Sequence, residues 1–184
     1  LSQLASQSSQ INLGPVALNP FDTHPIRIAA GLLTLNELSS GRASIVIGGG
    51  GEALQSLSLK TVKRVRAVRE CIEILKSISP SHSLNYNGEI FQVNNYHPFW
   101  ATQSIPRVYV AANKPQMLKM SSRLSDGIMM SDLPATLIKR TVEEVSAHLV
   151  AFGRDLDDFR FNNFMAWALY DDKEEAIKEA RQWL

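Results

Sequence analysis

Ile45-Val46-Ile47 runs directly into Gly48-Gly49-Gly50-Gly51 and then Glu52. The apolar triplet reads as a short strand buried on both faces, the habit of a parallel sheet. Glycine loses more backbone freedom on folding than any other residue. A run of them is kept where the backbone must bend sharply or lie against another surface. At the end of a buried strand, that surface is a ligand laid across the strand end. Glu52 then stands at the rim as a candidate proton carrier. The competing reading is a pliant strand-to-helix joint with Glu52 in water, because a glycine run alone is weakly specific.

The rest of the chain alternates strand and helix around this stretch. Leu1 to Ser9 fits a helix end, and Ile11 to Pro20 reads as a strand that must bulge or stop at Gly14-Pro15, where proline cannot donate to a ladder. Asp22 or Thr23 is expected to cap a helix with Pro25 in its first turn, Ile26, Ala29, Ala30, Leu33 and Leu38 inward, and Gly41 at its stop. Val62, Val65, Val68, Ile72 and Leu75 mark the clearest helix; Lys63, Arg64, Arg66, Arg69, Glu70, Glu73 and Lys76 are assigned to its outer face. The basic residues from Lys60 to Arg69 read as a solvated face rather than an anion site, since acids interleave with them.

Residues 77–104 form an excursion rich in proline, asparagine and serine, with a hairpin over Leu84 to Val93 turning at Asn87-Gly88. His97 and Trp100 are assigned to surface packing rather than to a pocket. Alternation then resumes. Strands are expected at Arg107 to Ala112, Asp126 to Met130 and Phe159 to Tyr170. Helices are expected from Asn113-Lys114-Pro115 with Met117, Met120 and Leu124 inward, over Leu137 to Leu149 ended at Gly153, and from Glu174 to Leu184 with Ile177 inward.

Five strands with helices between them predict a parallel sheet with right-handed crossovers. In a doubly wound fold the glycine run would be a dinucleotide fingerprint, with an acid about 20 residues on at the end of a second strand. Glu70 and Glu73 lie near that distance but inside the clearest helix, so the fingerprint fails on context. In a (β/α)8 TIM barrel, ligands sit across several loops at the C-terminal strand ends. Three loops carry unusual residues at that edge: Val16 to Pro20, Gly48 to Glu52 and Ala111 to Pro115. The barrel is the better fit, as a partial one with about five of its eight parallel strands, making residues 1–184 a single domain. Asn113-Lys114-Pro115 is either an anion-binding helix start or an ordinary one.

The 184 residues carry a formal net charge of +1, which gives no reason to expect a nucleic-acid or membrane partner. Cys71 is the only cysteine, so no intrachain disulfide forms and a cytoplasmic setting is expected. The chain opens at Leu1 inside a helical pattern and stops at Leu184 inside another, which reads as a fragment of a longer protein.

Leu13-Gly14-Pro15-Val16-Ala17-Leu18-Asn19-Pro20, His24-Pro25, and Leu35-Asn36-Glu37-Leu38-Ser39-Ser40-Gly41-Arg42 together resemble the luciferase-like flavin- or deazaflavin-dependent oxidoreductases. The likeness continues through the glycine run, the Tyr86 to Val93 hairpin, Val108 to Met117 and Asp126-Gly127, covering nearly the whole chain. Gly51-Glu52-Ala53-Leu54, Tyr170-Asp171-Asp172 and Trp183 look most like the coenzyme F420-dependent branch, which includes sugar-phosphate dehydrogenases and methylenetetrahydromethanopterin reductases.

The resemblance implies a non-proline cis peptide at Val16–Ala17 behind the tricyclic ring. It implies a cofactor site formed by Val16, Ala17, Leu18, Asn19, Gly50, Gly51, Asn113, Lys114, Gln116 and Met117, with no metal and with Glu52 as the catalytic acid or base. Departures are Asn113 or Lys114 where glycine is usual, Asn36 for an aspartate, and one extra residue between Arg42 and Glu52. Pro134 replaces a lysine that grips sugar phosphate, which argues against that substrate.

The expected activity is hydride transfer between F420 and a small-molecule organic substrate, by an enzyme that is a homodimer when full length. The alternatives are an FMN-dependent monooxygenase, or a flavin-binding protein with a shortened barrel and no catalysis. An open five-stranded piece exposes strand edges, so the fragment alone is expected to bind cofactor weakly, to associate and to be inactive.

Overall fold

A computed structural model describes residues 1–167 and 169–182, with all their side chains except those of Glu52 and Ala53. In chain order the elements are α1 (Ser2–Gln7), α2 (Pro25–Leu38), β1 (Ser44–Ile47), α3 (Glu52–Ser56), α4 (Arg64–Ser77), β2 (Leu84–Asn87), β3 (Gln92–Tyr96), β4 (Arg107–Ala111), α5 (Pro115–Leu124), β5 (Gly127–Ser131), α6 (Ala135–Ala151), β6 (Arg160–Phe164) and α7 (Lys173–Ala180).

Four strands pair in parallel in the order β1-β4-β5-β6. Each step across the sheet goes the same way as the chain. Right-handed crossovers that always step in one direction put every helix on one face. The core agrees: Ile45, Ile47, Val108, Val110, Ile128 and Met130 are buried together with Ala29, Leu33, Val68, Ile72, Leu118, Val145 and Leu149 from the helices. A doubly wound sheet would reverse its strand order and carry helices on both faces. This sheet does neither, so it is an arc of a barrel. Its other face is only partly covered by the described residues: Tyr109, Ala111, Met129 and Asn162 are half-buried and Phe164 is exposed.

The expected first strand is present in interrupted form. Leu13 bridges Ala43 and Leu18 bridges Ile47, both in parallel. Between them only one ladder bond survives, from Val46 N–H to the Pro15 carbonyl at 3.2 Å. Pro15 has no N–H, and the Val16–Ala17 peptide is cis, so the chain bulges away from β1 and returns. Gly14 allows the close approach: a Cβ there would lie 2.3 Å from the Ser44 carbonyl oxygen.

Several helix details differ from expectation. His24 caps α2, not Asp22 or Thr23; its Nδ1 accepts from Ile26 N–H at 3.2 Å. Leu38 is exposed, as the last residue of its helix. Val62 lies before α4 and is exposed, and Leu137 on α6 is exposed as well. Strand β6 stops at Phe164 rather than continuing to Tyr170. α7 is capped by Asp172, whose Oδ1 accepts from Glu174 and Glu175 N–H, and Ile177 faces out. Trp183 and Leu184 lie outside the described residues. Cys71 is fully buried on α4, and burial pushes its thiol up to about 12.

The largest correction is Glu70. Its place among charged neighbours suggested solvent, yet it is buried at 2% exposure. Its carboxylate accepts three backbone N–H bonds from the hairpin loop, Glu89 at 2.9 Å, Ile90 at 2.9 Å and Phe91 at 3.0 Å. That loop spans residues 88–91, closed by Gly88 N–H to the Phe91 carbonyl at 2.9 Å. It is longer than the two-residue Asn87-Gly88 turn expected from sequence, because Asn87 pairs with Gln92.

The excursion is tied at its other end by Glu37. Its Oε1 accepts from Thr102 N–H (2.7 Å) and Gln103 N–H (2.9 Å), and its Oε2 from the Thr102 hydroxyl (2.6 Å). The Thr102 hydroxyl first, then the two backbone N–H groups, hold this carboxyl below its ordinary value of 4.5. A depressed carboxyl adds stability above its unfolded value, lost as pH falls through the folded one. Glu37→Gln is therefore expected to shrink the fall in Tm between about pH 5 and about pH 3, measured by circular dichroism against the parent chain. An unchanged acid limb would mean that this clamp does not contribute.

Candidate cofactor cleft

The C-terminal ends of β1, β4 and β5 and the return of the 11–20 segment meet at one edge of the sheet. There they enclose a cleft of 370 Å³ lined by Ala17, Asn19, Gly48, Gly49, Gly50, Gly51, Ala111, Ala112, Asn113, Met129 and Ser131. Its floor is made of very small groups. A Cβ on Gly48 would sit 3.3 Å from the Ala17 Cβ and 3.7 Å from the Ala111 Cβ. Gly50 holds a left-handed φ of +75°, and a Cβ there would strike Leu54 Cδ1 at 2.1 Å. Gly51 differs from both: apart from its chain neighbours, no heavy atom among the described residues lies within 4 Å of where its Cβ would stand. A side chain at Gly51 would fit the fold and enter open space instead.

The polar groups at the rim are largely spoken for. Asn19 Oδ1 accepts from Phe21 N–H (3.0 Å) and Asp22 N–H (3.2 Å), and its Nδ2 donates to Asp22 Oδ2 at 2.7 Å. One amide hydrogen of Asn19 remains for a ligand. Asn113 Nδ2 donates to the Ser131 carbonyl and its Oδ1 accepts from Ser131 N–H, both at 3.2 Å. Its side chain thus extends the β4–β5 pairing by one rung and fixes the spacing of the two strand ends.

A second groove of 520 Å³ shares Gly49, Gly50, Ala111, Ala112 and Asn113 with the cleft and continues along Arg64, Val65, Lys114, Pro115, Gln116 and Met117. Here α5 begins. Its N-cap, Lys114, makes no side-chain cap bond, and Pro115 has no N–H to offer, so the Gln116 and Met117 N–H groups are first-turn donors without helix partners. The stem of Arg64 lies against the glycine run: a Cβ on Gly49 would meet its Cδ at 2.6 Å. The guanidinium donates to Thr61 Oγ1 at 3.2 Å and has no carboxylate partner among the described residues.

Of the residues expected from sequence, the structure brings Ala17, Asn19, Gly50, Gly51 and Asn113 into the cleft, and Lys114, Gln116 and Met117 into the adjoining groove. Val16 is exposed and lines neither, and the Leu18 side chain packs on the core. These two contribute the bulge itself, with Leu18 N–H bonded to the Val46 carbonyl at 3.0 Å. Glu52 opens α3 directly after the run, but its side chain lies outside the described residues. His97 binds the Pro80 carbonyl at 2.8 Å, and Trp100 is exposed; neither lines the cleft.

Sequence reading assigned Arg64 to a solvated face and did not single out Met129 or Ser131. The last two were legible by alternation, because Gly127, Met129 and Ser131 share the face opposite the core. Arg64 was hidden in a charged helix start. A larger hollow of 760 Å³ along α7 is lined by that helix and its cap alone and shares no residue with the cleft. No cluster of metal-ligating side chains occurs among the described residues, and none of their helices is long and apolar enough to cross a membrane.

The luciferase-like monooxygenase family profile matches residues 1–184. A 5,10-methylenetetrahydromethanopterin reductase of Archaeoglobus fulgidus is 29% identical over 182 residues, 98% of this chain and 54% of the reductase. An F420-dependent glucose-6-phosphate dehydrogenase of Kineococcus radiotolerans is 26% identical over 191 residues, 100% of this chain and 56% of that enzyme. Among solved structures, an F420-dependent secondary alcohol dehydrogenase in complex with an F420-acetone adduct superposes with a TM-score of 0.89 at 14% identity, over 98% of this chain and 57% of that one. The chain spans little more than half the length of each, so the sheet described above is part of a TIM barrel.

Proposed function

Because the chain belongs to the luciferase-like monooxygenase family, we propose that it forms the cofactor-bearing part of an oxidoreductase that transfers a hydride between F420 and a small organic molecule. What supports this reading is the meeting of Ala17, Asn19, Gly50, Gly51 and Asn113 in one cleft at the C-terminal strand ends. The residues present fit a flat, phosphate-bearing heterocycle. The floor of Ala17, Gly48 and Ala111 carries no side chain larger than a methyl group, and Gly51 leaves space that any other residue would fill. Asn19 keeps one N–H for a ring oxygen or nitrogen. Arg64, Lys114 and the start of α5 offer cations and free N–H donors to a phosphate in the adjoining groove.

When bound, the deazaflavin supplies the site that accepts or returns the hydride. The chain's part is to hold the ring against the bulge at Val16–Ala17 and to handle the accompanying proton, assigned to the Glu52 carboxyl. The same reading takes residues 1–184 as one piece of a barrel domain in a cytoplasmic homodimer, with no nucleic-acid or membrane partner. Titration of F420 and of FMN into the whole protein of which this chain is a piece tests it, followed by the absorbance of each ring. Saturable uptake of F420 in preference to FMN is the expected result; FMN alone would favour the monooxygenase, and uptake of neither would end the proposal. In the protein that turns over, Glu52→Gln should lower kcat about 100-fold or more while cofactor affinity changes less than about threefold. An unchanged kcat would remove Glu52 from the chemistry.

A further inference from the structure

The tip of the β2–β3 hairpin, residues 88–91, lines neither the cleft nor the adjoining groove, yet it grips the segments that supply their polar groups. Its backbone is fixed by the buried Glu70 carboxylate. Two side chains reach out from that fixed backbone. Phe91 sets its ring edge-on to His24, with centroids 5.5 Å apart. His24 caps α2 just beyond the Asn19–Asp22 turn at the cleft rim. The Glu89 carboxylate accepts from Lys63 Nζ through Oε1 and pairs with Arg66 Nε through Oε2 at 3.2 Å.

Lys63 is an unusual residue to hold in this way. It is the N-cap of α4, and its backbone lies in the left-handed region at φ +48° and ψ +52°. A residue with a Cβ takes up that region only where its surroundings impose it. The conformation sets the angle at which α4 leaves the loop, and Arg64 is the first residue of α4. The Arg64 stem then lies on Gly49, with its guanidinium beside Thr61, and lines the groove. The Lys63 and Glu89 side chains are 58% and 42% exposed, so their pairing contributes little to stability. Its consequence is geometric: it holds the turn from which Arg64 projects.

Resting on the function proposed above, we propose that Glu89 is a positioning residue for cofactor binding. Through Lys63 it holds Arg64 where the guanidinium meets the phosphate of the tricycle, without itself reaching the groove. Charge alone predicts the opposite effect. A carboxylate near an anion site repels the phosphate, so removing it would tighten binding if only the field mattered. On this proposal removing it loosens binding, because Arg64 is no longer pre-organised.

The test uses the whole protein of which this chain is a piece, with each tricycle offered with and without its phosphate: F420 against 8-hydroxy-5-deazariboflavin, and FMN against riboflavin. Fluorescence titration at one fixed salt concentration gives the affinities for the parent, Glu89→Gln, Arg64→Gln and the double variant. Arg64→Gln is expected to weaken binding of the phosphorylated form about 10- to 50-fold, the loss of a charge-assisted bond. Glu89→Gln should weaken that form about fivefold, change the phosphate-free form less than about twofold, and leave Tm within about 2 °C. In the Arg64→Gln background, Glu89→Gln should have no further effect. Lys63→Gly is a second probe of the same link. Glycine takes a positive φ freely, so Tm should hold or rise, while the phosphorylated form binds about fivefold more weakly.

Tighter or unchanged binding of the phosphorylated form in Glu89→Gln, an equal loss for the phosphate-free form, or a loss that persists without Arg64 would overturn the inference. So would Lys63→Gly binding the phosphorylated form like the parent. Uptake of neither tricycle would overturn the proposed function and this inference with it. Uptake that Glu89→Gln leaves intact would overturn this inference alone.

Discussion

Glu70→Ala is expected to destabilise the protein by about 3–5 kcal/mol, one of the two largest effects of any single substitution considered. The side chain is buried, and its carboxylate satisfies the Glu89, Ile90 and Phe91 N–H groups of the hairpin loop. Hydrogen bonds to a charged acceptor contribute about 1.5–3 kcal/mol each and do not simply add. Alanine would leave those donors facing a cavity. Glutamine keeps the volume but turns an NH2 toward N–H groups, so Glu70→Gln should cost about 2–3 kcal/mol. Gly88 is part of the same fit, since a Cβ there would lie 2.3 Å from Glu70 Oε2. Urea unfolding measures the loss, and amide exchange at residues 89–91 locates it. An unfolding free energy within about 1 kcal/mol of the parent, with the same slope, would show that water replaces the carboxylate at little cost.

Gly51→Leu should abolish measurable cofactor binding, a loss of at least about 100-fold, while leaving Tm within about 2 °C. The reasoning rests on the open space around the Gly51 Cβ position and on a backbone φ outside the left-handed region. The first carbon of a leucine side chain has open space at this cleft-lining position, and the rest of the chain is expected to occupy cleft volume. Gly50→Ala is the informative contrast. Its φ of +75° and the 2.1 Å approach to Leu54 Cδ1 mean that alanine strains the fold, at about 1–3 kcal/mol. Adjacent glycines are thus expected to fail in different ways, one by stability and one by binding. If Gly51→Leu takes up F420 or FMN like the parent, the ring lies elsewhere.

The layout of the sheet was legible because it depends on coarse signals. Apolar triplets flanked by turn residues marked β1, β4 and β5, and helical spacing marked α4 and α6. The choice of barrel over doubly wound sheet turned on where Glu70 and Glu73 fell, and the monotonic strand order decides it the same way. What stayed hidden depends on contacts between distant segments. Glu70 has the local neighbours of a surface residue, and only a loop about twenty residues later makes it a buried acceptor. His24 caps α2 with a ring nitrogen, a role that Asp22 and Thr23 fill more often. Phe159 to Tyr170 looked like one long strand because its aromatics favour extended structure, yet pairing with β5 runs out at Ser131. The glycine run was legible as a turn at a buried strand end, and the structure puts it in the lining of a cleft. Arg64 was assigned to a solvated face because a cation in a charged helix start carries no local mark of what it lies against.

The burial of Cys71 has a practical side. The chain holds one thiol, and it sits in the core with its proton held to about pH 12. In the folded protein it is therefore expected not to react with maleimides and other thiol reagents. A cysteine engineered at Glu89 on the hairpin or at Lys114 beside the groove then becomes the one addressable position, without first deleting the native residue. Distances between such labels, read by spin or dye, would follow the rim of the cleft as a cofactor enters.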